Sequence, residues 1–194
     1  MWVIYYIDNI RIYNSYNKKL TELKGVINLK KRIYFAGIND LKRTRVLLEN
    51  GFKNFMFTFN KKPSKNMLNL IRSYEDTEIM LDSGAFSVWN MGKTIDIYKY
   101  IEFIKENDIK IYFNLDVIGD VEGTKKNQKI MEDNGLNPIP VFHYGEPFEY
   151  LDWLVEQGYT YIGIGGTVGK SVQQREKFFN DIYARHPNID YHAL

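Results

Sequence analysis

Strand-like and helix-like segments alternate along the chain from residue 32 to residue 194. The segments that predict strands are short, rich in Ile, Val, Tyr and Phe, and bounded by turn residues. They cover residues 32–37, 54–59, 78–82, 110–116, 140–143, 160–164 and 190–194. The segments between them predict helices, over residues 40–50, 64–74, 94–107, 123–134, 148–157 and 172–185. Strict alternation of this kind requires a parallel sheet with right-handed crossovers, either open or closed into a barrel.

Local signals mark the ends of these helices. Gly51, Gly135 and Gly158 each follow a predicted helix, where a helix C-terminus commonly needs a residue with positive φ. Ser171 and Gln174 have the spacing of a capping box at the start of the last helix. Periodicity and end signals therefore predict the same elements.

The number of predicted strands favours a barrel over an open sheet. A complete (β/α)8 barrel needs roughly 250 residues, whereas this chain has 194 and ends inside its seventh predicted strand. We therefore expect an α/β fold, a parallel (β/α) TIM-like barrel that is incomplete at its C-terminus, over residues 32–194. Residues 1–31 would form a basic N-terminal extension.

Composition narrows the class of protein. A hydrophobic content of 44% is sufficient for one sizeable core, and no apolar run approaches the roughly 18 to 20 residues of a membrane span. The chain has no cysteine, and its three histidines, His143, His186 and His192, have no metal-binding spacing. We expect a cytoplasmic protein without a membrane segment, a metal site or a cofactor.

Basic residues are concentrated in the first third of the chain. Residues 1–66 contain 14 Lys and Arg against 4 Asp and Glu, and residues 67–194 contain 12 against 20. Such clustering is typical of proteins that bind polyanions, although lysine is equally common as a solubilising surface residue. Lys61, Lys62 and Lys65 are the stronger candidates for nucleic-acid binding because they follow the second predicted strand.

Two carboxylates end predicted strands. Asp82 ends the apolar run 79–81 and precedes Ser83 and Gly84, and Asp116 ends the run 111–115. Ligands of parallel sheets and barrels bind at the carboxyl ends of the strands, so both acids are candidate site residues. The competing interpretation is that each aspartate caps a turn.

Four motifs together resemble a known family. They are Asp-Ser-Gly-Ala-Phe at 82–86, Asn-Leu-Asp at 114–116, Pro-Val-Phe-His-Tyr-Gly at 140–145 and Tyr-Ile-Gly-Ile-Gly-Gly-Thr-Val-Gly-Lys at 161–170. In this order they resemble the strand ends of the tRNA-guanine transglycosylase superfamily. The form is similar to the phage and bacterial paralogues that place 7-deazaguanine bases into DNA, and the resemblance covers residues 32–194.

The resemblance implies a reaction and roles in it. Enzymes of this superfamily exchange guanine for a deazapurine through a covalent glycosyl-aspartate intermediate, much as a retaining glycosidase does. By resemblance, Asp82 is the general acid/base, and Asp116 accepts hydrogen bonds from the guanine edge. Phe86 is expected to stack on the base.

The remaining substrate-binding assignments concern the later motifs. By resemblance, Gly165 and Gly166 let backbone donors approach the base carbonyl. Tyr144 lies near a position where many members carry a base-reading glutamine, and His143 is expected to be a hydrogen-bonded residue of the same rim.

The nucleophilic aspartate of the superfamily lies beyond the strand predicted at 190–194, as does the zinc site of the tRNA enzymes. Two functions therefore remain open. One is a guanine transglycosylase, a pentosyltransferase, acting on DNA or tRNA, with DNA preferred. The other is a catalytically incomplete subunit or fragment that binds bases or nucleic acid. A barrel enzyme acting on a phosphate ester is a weaker third interpretation.

The unfinished barrel and the resemblance also predict partners and location. We expect the chain to form a homo-oligomer or to bind a partner that completes the barrel, because uncovered strand edges favour association. Its ligands would be guanine or a 7-deazaguanine base and a nucleic acid, in the cytoplasm of a bacterium or of a phage-infected host.

Overall fold

The computed structural model describes residues 32–194, and the expected extension over residues 1–31 lies outside the described residues. The described residues form seven strands: β1 (Phe35–Ala36), β2 (Asn54–Thr58), β3 (Glu78–Asp82), β4 (Ile111–Tyr112), β5 (Val141–His143), β6 (Tyr161–Gly165) and β7 (Asp190–Ala193). Seven α-helices lie between the strands, two of them between β3 and β4 and one in each other interval: α1 (Leu41–Glu49), α2 (Lys65–Arg72), α3 (Ala85–Trp89), α4 (Ile97–Glu106), α5 (Val121–Asp133), α6 (Phe148–Glu156) and α7 (Val172–Arg185). A 3-10 turn (Phe59–Lys61) follows β2.

The strands pair in chain order, and every pair is parallel. β1 to β4 form one sheet and β5 to β7 form a second. A single parallel bridge between Phe113 and Ile139 joins the two sheets, and the Asn114 N–H donates to the Ile139 carbonyl at 2.8 Å. The prediction of an α/β fold with parallel strands and alternating helices is confirmed.

Alternating residues of the strands face two different apolar clusters. In β2, Phe55 and Phe57 pack with the helices, whereas Met56 faces the other way. Met56 belongs to a buried cluster that also includes side chains from or beside β1, β3, β4 and β5: Tyr34, Met80, Phe113 and Val141. Tyr161 of β6 and Leu194 after β7 pack against the same cluster. Side chains from all seven strand regions therefore meet in one place.

Strands β1 and β4 are shorter than predicted, and one helix was not predicted. The strand predicted over 32–37 is limited to Phe35–Ala36. The strand predicted over 110–116 is shorter, because its ladder with β3 ends at Tyr112. The Phe113 N–H still donates to the Leu81 carbonyl at 2.9 Å, and Phe113 also bridges to Ile139. The short helix α3 was not predicted. The capping box at the start of α7 is confirmed, since Ser171 Oγ accepts from the Gln174 N–H and the Gln174 side chain accepts from the Ser171 N–H. Within residues 32–194, none of the helices has the length and apolar character needed to cross a bilayer.

Candidate functional site

A cavity of about 340 Å³ opens at the carboxyl ends of the strands. Residues that end or follow each of the seven strands contribute to its wall. Seven of the predicted site residues line it: Lys61, Asp82, Phe86, Asp116, His143, Gly165 and Gly166. The volume is within the range of about 300 to 1,000 Å³ typical of small-molecule sites.

Asp82 is held at the cavity by a tight turn. It is the last residue of β3, and its Oδ2 accepts from the Gly84 N–H at 3.0 Å. Gly84 has φ +74 and lies so close to the side chain of Asn60 that a Cβ atom would not fit there. Burial, and secondarily the negative charge of Asp116, raises the pKa of Asp82 to about 7. A carboxyl with this pKa can both give and take a proton near neutral pH.

Ser83 connects this turn to the second carboxylate. Its hydroxyl donates to Asp116 Oδ1 at 3.0 Å and accepts from the Ala85 N–H at 3.1 Å. The buried serine therefore orients Asp116 and also binds the N–H of Ala85, the first residue of α3. One oxygen of Asp116 is occupied by this bond.

The other oxygen of Asp116 faces His143. His143 Nε2 lies 3.0 Å from Asp116 Oδ2, and its Nδ1 lies 3.3 Å from Glu146 Oε1. The His143 backbone N–H donates to Glu146 Oε2 at 2.7 Å. The imidazole is only 15% exposed, and the side chains of Asp116 and Glu146 are each 9% exposed.

Because both ring nitrogens face a carboxylate, the arrangement favours a doubly protonated imidazole. Burial by itself lowers the pKa of His143, but hydrogen bonds and charge interactions with Asp116 and Glu146 more than compensate and raise it to about 9. The site thus combines an imidazole whose pKa is raised by two acidic partners with the Asp82 carboxyl, whose pKa lies near neutrality.

Two glycines, Gly165 at the end of β6 and Gly166 directly after it, leave room for His143 and the turn that follows it. A Cβ atom on Gly165 would lie 2.6 Å from Cδ2 of His143, and one on Gly166 would lie 2.9 Å from the Tyr144 backbone nitrogen. Gly166 also has φ +72. Both glycines line the cavity, and their lack of a side chain lets β5 and its following turn pack against them.

Three predicted site residues do not line this cavity. The Tyr144 ring packs edge-on against Phe178, with centroids 4.9 Å apart, and Lys170 Nζ lies 4.7 Å from its centroid. Lys62 Nζ lies 5.3 Å from the ring centroids of Phe59 and of Phe103. Lys65 is exposed at the first position of α2. Of the three predicted lysines, Lys61 is the one that lines the cavity.

Two residues of the site, Ser83 and Glu146, carried no role in the sequence interpretation. Ser83 lies beside Asp82 in the first motif, so its position gave a signal. Glu146 follows His143 by three residues across a turn at Gly145, which has φ +94, and only that turn brings its carboxylate back to the imidazole. In the described part of the chain, residues 32–194, no group of three or more His, Cys, Asp or Glu could hold a metal ion.

The sequence matches no protein-family model, and a search of curated proteins gives no significant match. The geometry of the cavity is therefore the main guide to function.

Proposed function

We propose that this protein binds guanine and 7-deazaguanine bases in the cavity and exchanges one for the other in DNA or tRNA, as a guanine transglycosylase. The observation that carries the proposal is the presence in one cavity wall of Asp82, a carboxyl with a pKa of about 7, and of Asp116, a hydrogen-bonded carboxylate in the loop that follows the next strand, β4. Asp82 would move the proton of the departing or arriving base. Asp116 would accept from N–H donors of the base edge.

The cavity also suits the shape and chemistry of a purine. Phe86 lines it with an exposed ring, which offers a face for stacking. Lys61 lines it as well and could bind a phosphate of the nucleic acid. His143 would keep Asp116 oriented rather than contact the base, since both its ring nitrogens are engaged.

We further propose that the two sheets belong to one barrel of the TIM type. Its support is the apolar cluster to which all seven strand regions contribute. In addition, the ring of Tyr34, just before β1, lies edge-on to His192 of β7, with centroids 5.6 Å apart. A contact between the first and last strand regions is expected in a barrel and not in an open sheet.

The alternative function is binding of a base or nucleic acid without turnover. The observation that favours it is that the two carboxylates lining the cavity in the described residues, Asp82 and Asp116, already have assigned roles. Neither is left to act as the nucleophile of a covalent exchange.

Calorimetry with guanine and 7-cyano-7-deazaguanine tests the proposal. Asp116→Asn should weaken binding by about five- to a hundredfold. The amide places an N–H group against an N–H donor of the base where the carboxylate accepted a hydrogen bond, at a cost on the order of 1 to 3 kcal/mol. Asp82→Asn should change binding less and abolish exchange of labelled guanine in DNA or tRNA. Glu122→Gln, an exposed acid outside the cavity, is the matched control.

The outcomes separate the two functions. If the folded wild-type protein binds neither purine, the proposed base site is wrong. Purine binding without any exchange of labelled guanine supports the alternative.

A further inference from the structure

Helix α3 presents two aromatic rings to solvent beside the cavity. Phe86 and Trp89 are three residues apart and therefore lie on the same face of the helix. Their ring centroids are 6.3 Å apart, with an angle of 27° between the ring planes. Phe86 is 43% exposed and Trp89 is 55% exposed. The two rings thus form adjacent, partly exposed parts of one aromatic surface.

This surface leads outward from the cavity. Phe86 lines the cavity itself, whereas Trp89 lines a smaller groove of about 110 Å³. The two share Ala85 and Asp116 in their walls, so they are adjacent. A nucleotide whose base occupies the cavity would place the next nucleotide of its strand near Trp89.

The walls of the cavity and of the groove each include a lysine. The 3-10 turn that ends at Lys61 packs against α3, and Lys61 lines the cavity. Lys93 lines the groove beside Trp89. The acid in the wall of that groove is Asp116, whose two oxygens are bonded to Ser83 and His143. Exposed rings next to lysines match the bases and phosphates of a nucleic acid.

We propose that Phe86 and Trp89 form a stacking platform for an unpaired nucleic-acid strand, with Trp89 binding the base next to the one that enters the cavity. The proposal rests on the proposed function, which supplies the base in the cavity. It adds that the nucleic acid is unpaired where it binds. A paired strand hides its base faces inside the duplex, so only an unpaired strand can stack on both rings.

Fluorescence anisotropy with a labelled 12-nucleotide single-stranded DNA, one guanine among thymines, tests the platform. Loss of one base–aromatic stack is worth about 1 to 3 kcal/mol, so Trp89→Ala should weaken binding by about five- to a hundredfold. Trp89→Phe retains a ring and should bind nearly as the wild type. The same DNA annealed to its complement should bind more weakly, with no dependence on residue 89.

Tyr183→Ala is the matched control, because Tyr183 is an exposed aromatic residue, 59% accessible, that lines neither the cavity nor the groove. It should leave the affinity for the strand unchanged. Circular dichroism checks the fold of each variant, and Trp89→Gln replaces Trp89→Ala if the alanine variant unfolds.

Two results would overturn the platform. One is equal strand affinity of the wild type and the folded Trp89 variant. The other is a wild-type dimer, detected by sedimentation, that Trp89→Ala dissociates, since the rings would then contact a second copy of the chain. Wild-type calorimetry with free guanine keeps the two proposals apart: strand binding that depends on Trp89, without guanine binding, supports the platform and rejects the base site.

Discussion

At the scale of single residues, the charge on His143 depends on its two carboxylate partners. Glu146→Gln removes one negative charge but keeps an oxygen that can accept from the His143 backbone N–H. We expect the pKa of His143 to fall from about 9 toward its ordinary value of 6.5. NMR titration of the imidazole C–H resonances measures this shift, with Glu149→Gln, an exposed acid in the same segment, as the control.

The same variant should change how stability depends on pH. A histidine whose pKa is raised on folding contributes stability that is complete below the unfolded value, 6.5, and is lost as the pH rises through about 9. Glu146→Gln should therefore lower the free energy of unfolding at pH 6 and have little effect at pH 10. Equal losses at both pH values would show that Glu146 acts only through the turn.

The stability that depends on Asp82 should fall as the pH rises, whereas an ordinary hydrogen-bonded or ion-paired carboxylate adds stability as the pH rises. The raised pKa of Asp82 means that the fold prefers the protonated form, so stability falls as the pH rises from about 4 through about 7. Asp82→Asn keeps an acceptor for the Gly84 N–H and has no charge to bury. We expect it to be more stable than the wild type at pH 8, by several degrees in melting temperature, and to lose this advantage at pH 4. Thermal melts at both pH values measure the difference.

The two aspartates could be predicted from the sequence because each closes an apolar segment, although only Asp82 is the last residue of a strand and Asp116 lies in the loop after β4. The contact between His143 and Glu146 could not be predicted. This contact depends on the backbone turn at Gly145 and on the packing of the imidazole against Gly165, and neither leaves a periodic signal in the sequence.

At the scale of elements, the closeness of β5 and β6 controls the geometry of the site. Gly165→Ala places a methyl group against the imidazole of His143, which should move the ring away from Asp116. We expect a loss of about 1 to 3 kcal/mol in stability, as in other overpacked sites, together with a lower pKa of His143.

Gly163→Ala is the matched control in the same strand. Its Cβ would lie 2.8 Å from a ring carbon of Phe113, so it should also destabilise the fold. It should leave the pKa of His143 unchanged. Urea unfolding and the NMR titration of His143 together separate the two variants, and a pKa that shifts equally in both would contradict the role of Gly165.

The elements with strong local signals were predicted well, and α3 shows why others were missed. This helix has five residues, begins after Gly84 without a side-chain cap, and leaves Phe86 and Trp89 exposed. It is too short to show a helical period. The end of β4 was also misplaced, because the ladder with β3 stops at Tyr112 and the next bridge is with Ile139, whose position far along the chain leaves no local signal.

At the scale of the whole molecule, His192 lies where distant strand regions meet. It is buried, its Nδ1 lies 3.0 Å from the Tyr161 hydroxyl, and its ring contacts those of Tyr34 and Phe113. Burial lowers the pKa of His192 to about 4. The fold therefore holds a neutral imidazole.

The lowered pKa makes the fold sensitive to acid. Between pH 6.5 and 4 the imidazole of His192 binds a proton in the unfolded chain but not in the folded protein. The free energy of unfolding therefore falls as the pH falls, by up to about 1.4 kcal/mol per pH unit. His192→Phe, which cannot be protonated, should lose less stability than the wild type between pH 6.5 and 4.5. Urea unfolding at the two pH values tests this, and parallel losses would show that other groups cause the acid sensitivity.

The order of the strands followed from their alternation with helices, because parallel strands need crossovers. The way in which the two sheets join could not be predicted from this alternation. The junction depends on one bridge and on side chains such as Tyr34 and His192, which are about 160 residues apart and come together only in the folded chain.

The two sheets also define two modules, which meet at one backbone bridge and in the apolar cluster shared by all seven strand regions. β1 to β4 and β5 to β7 each have their own apolar cluster with their helices, and the connection between them passes through Gly135, which is exposed with φ +77 and has open space around it. A polypeptide cut at Gly135 should give two fragments that reassemble when expressed together. The chain would then serve as a split reporter, whose cavity forms only when two fused proteins bring the halves into contact.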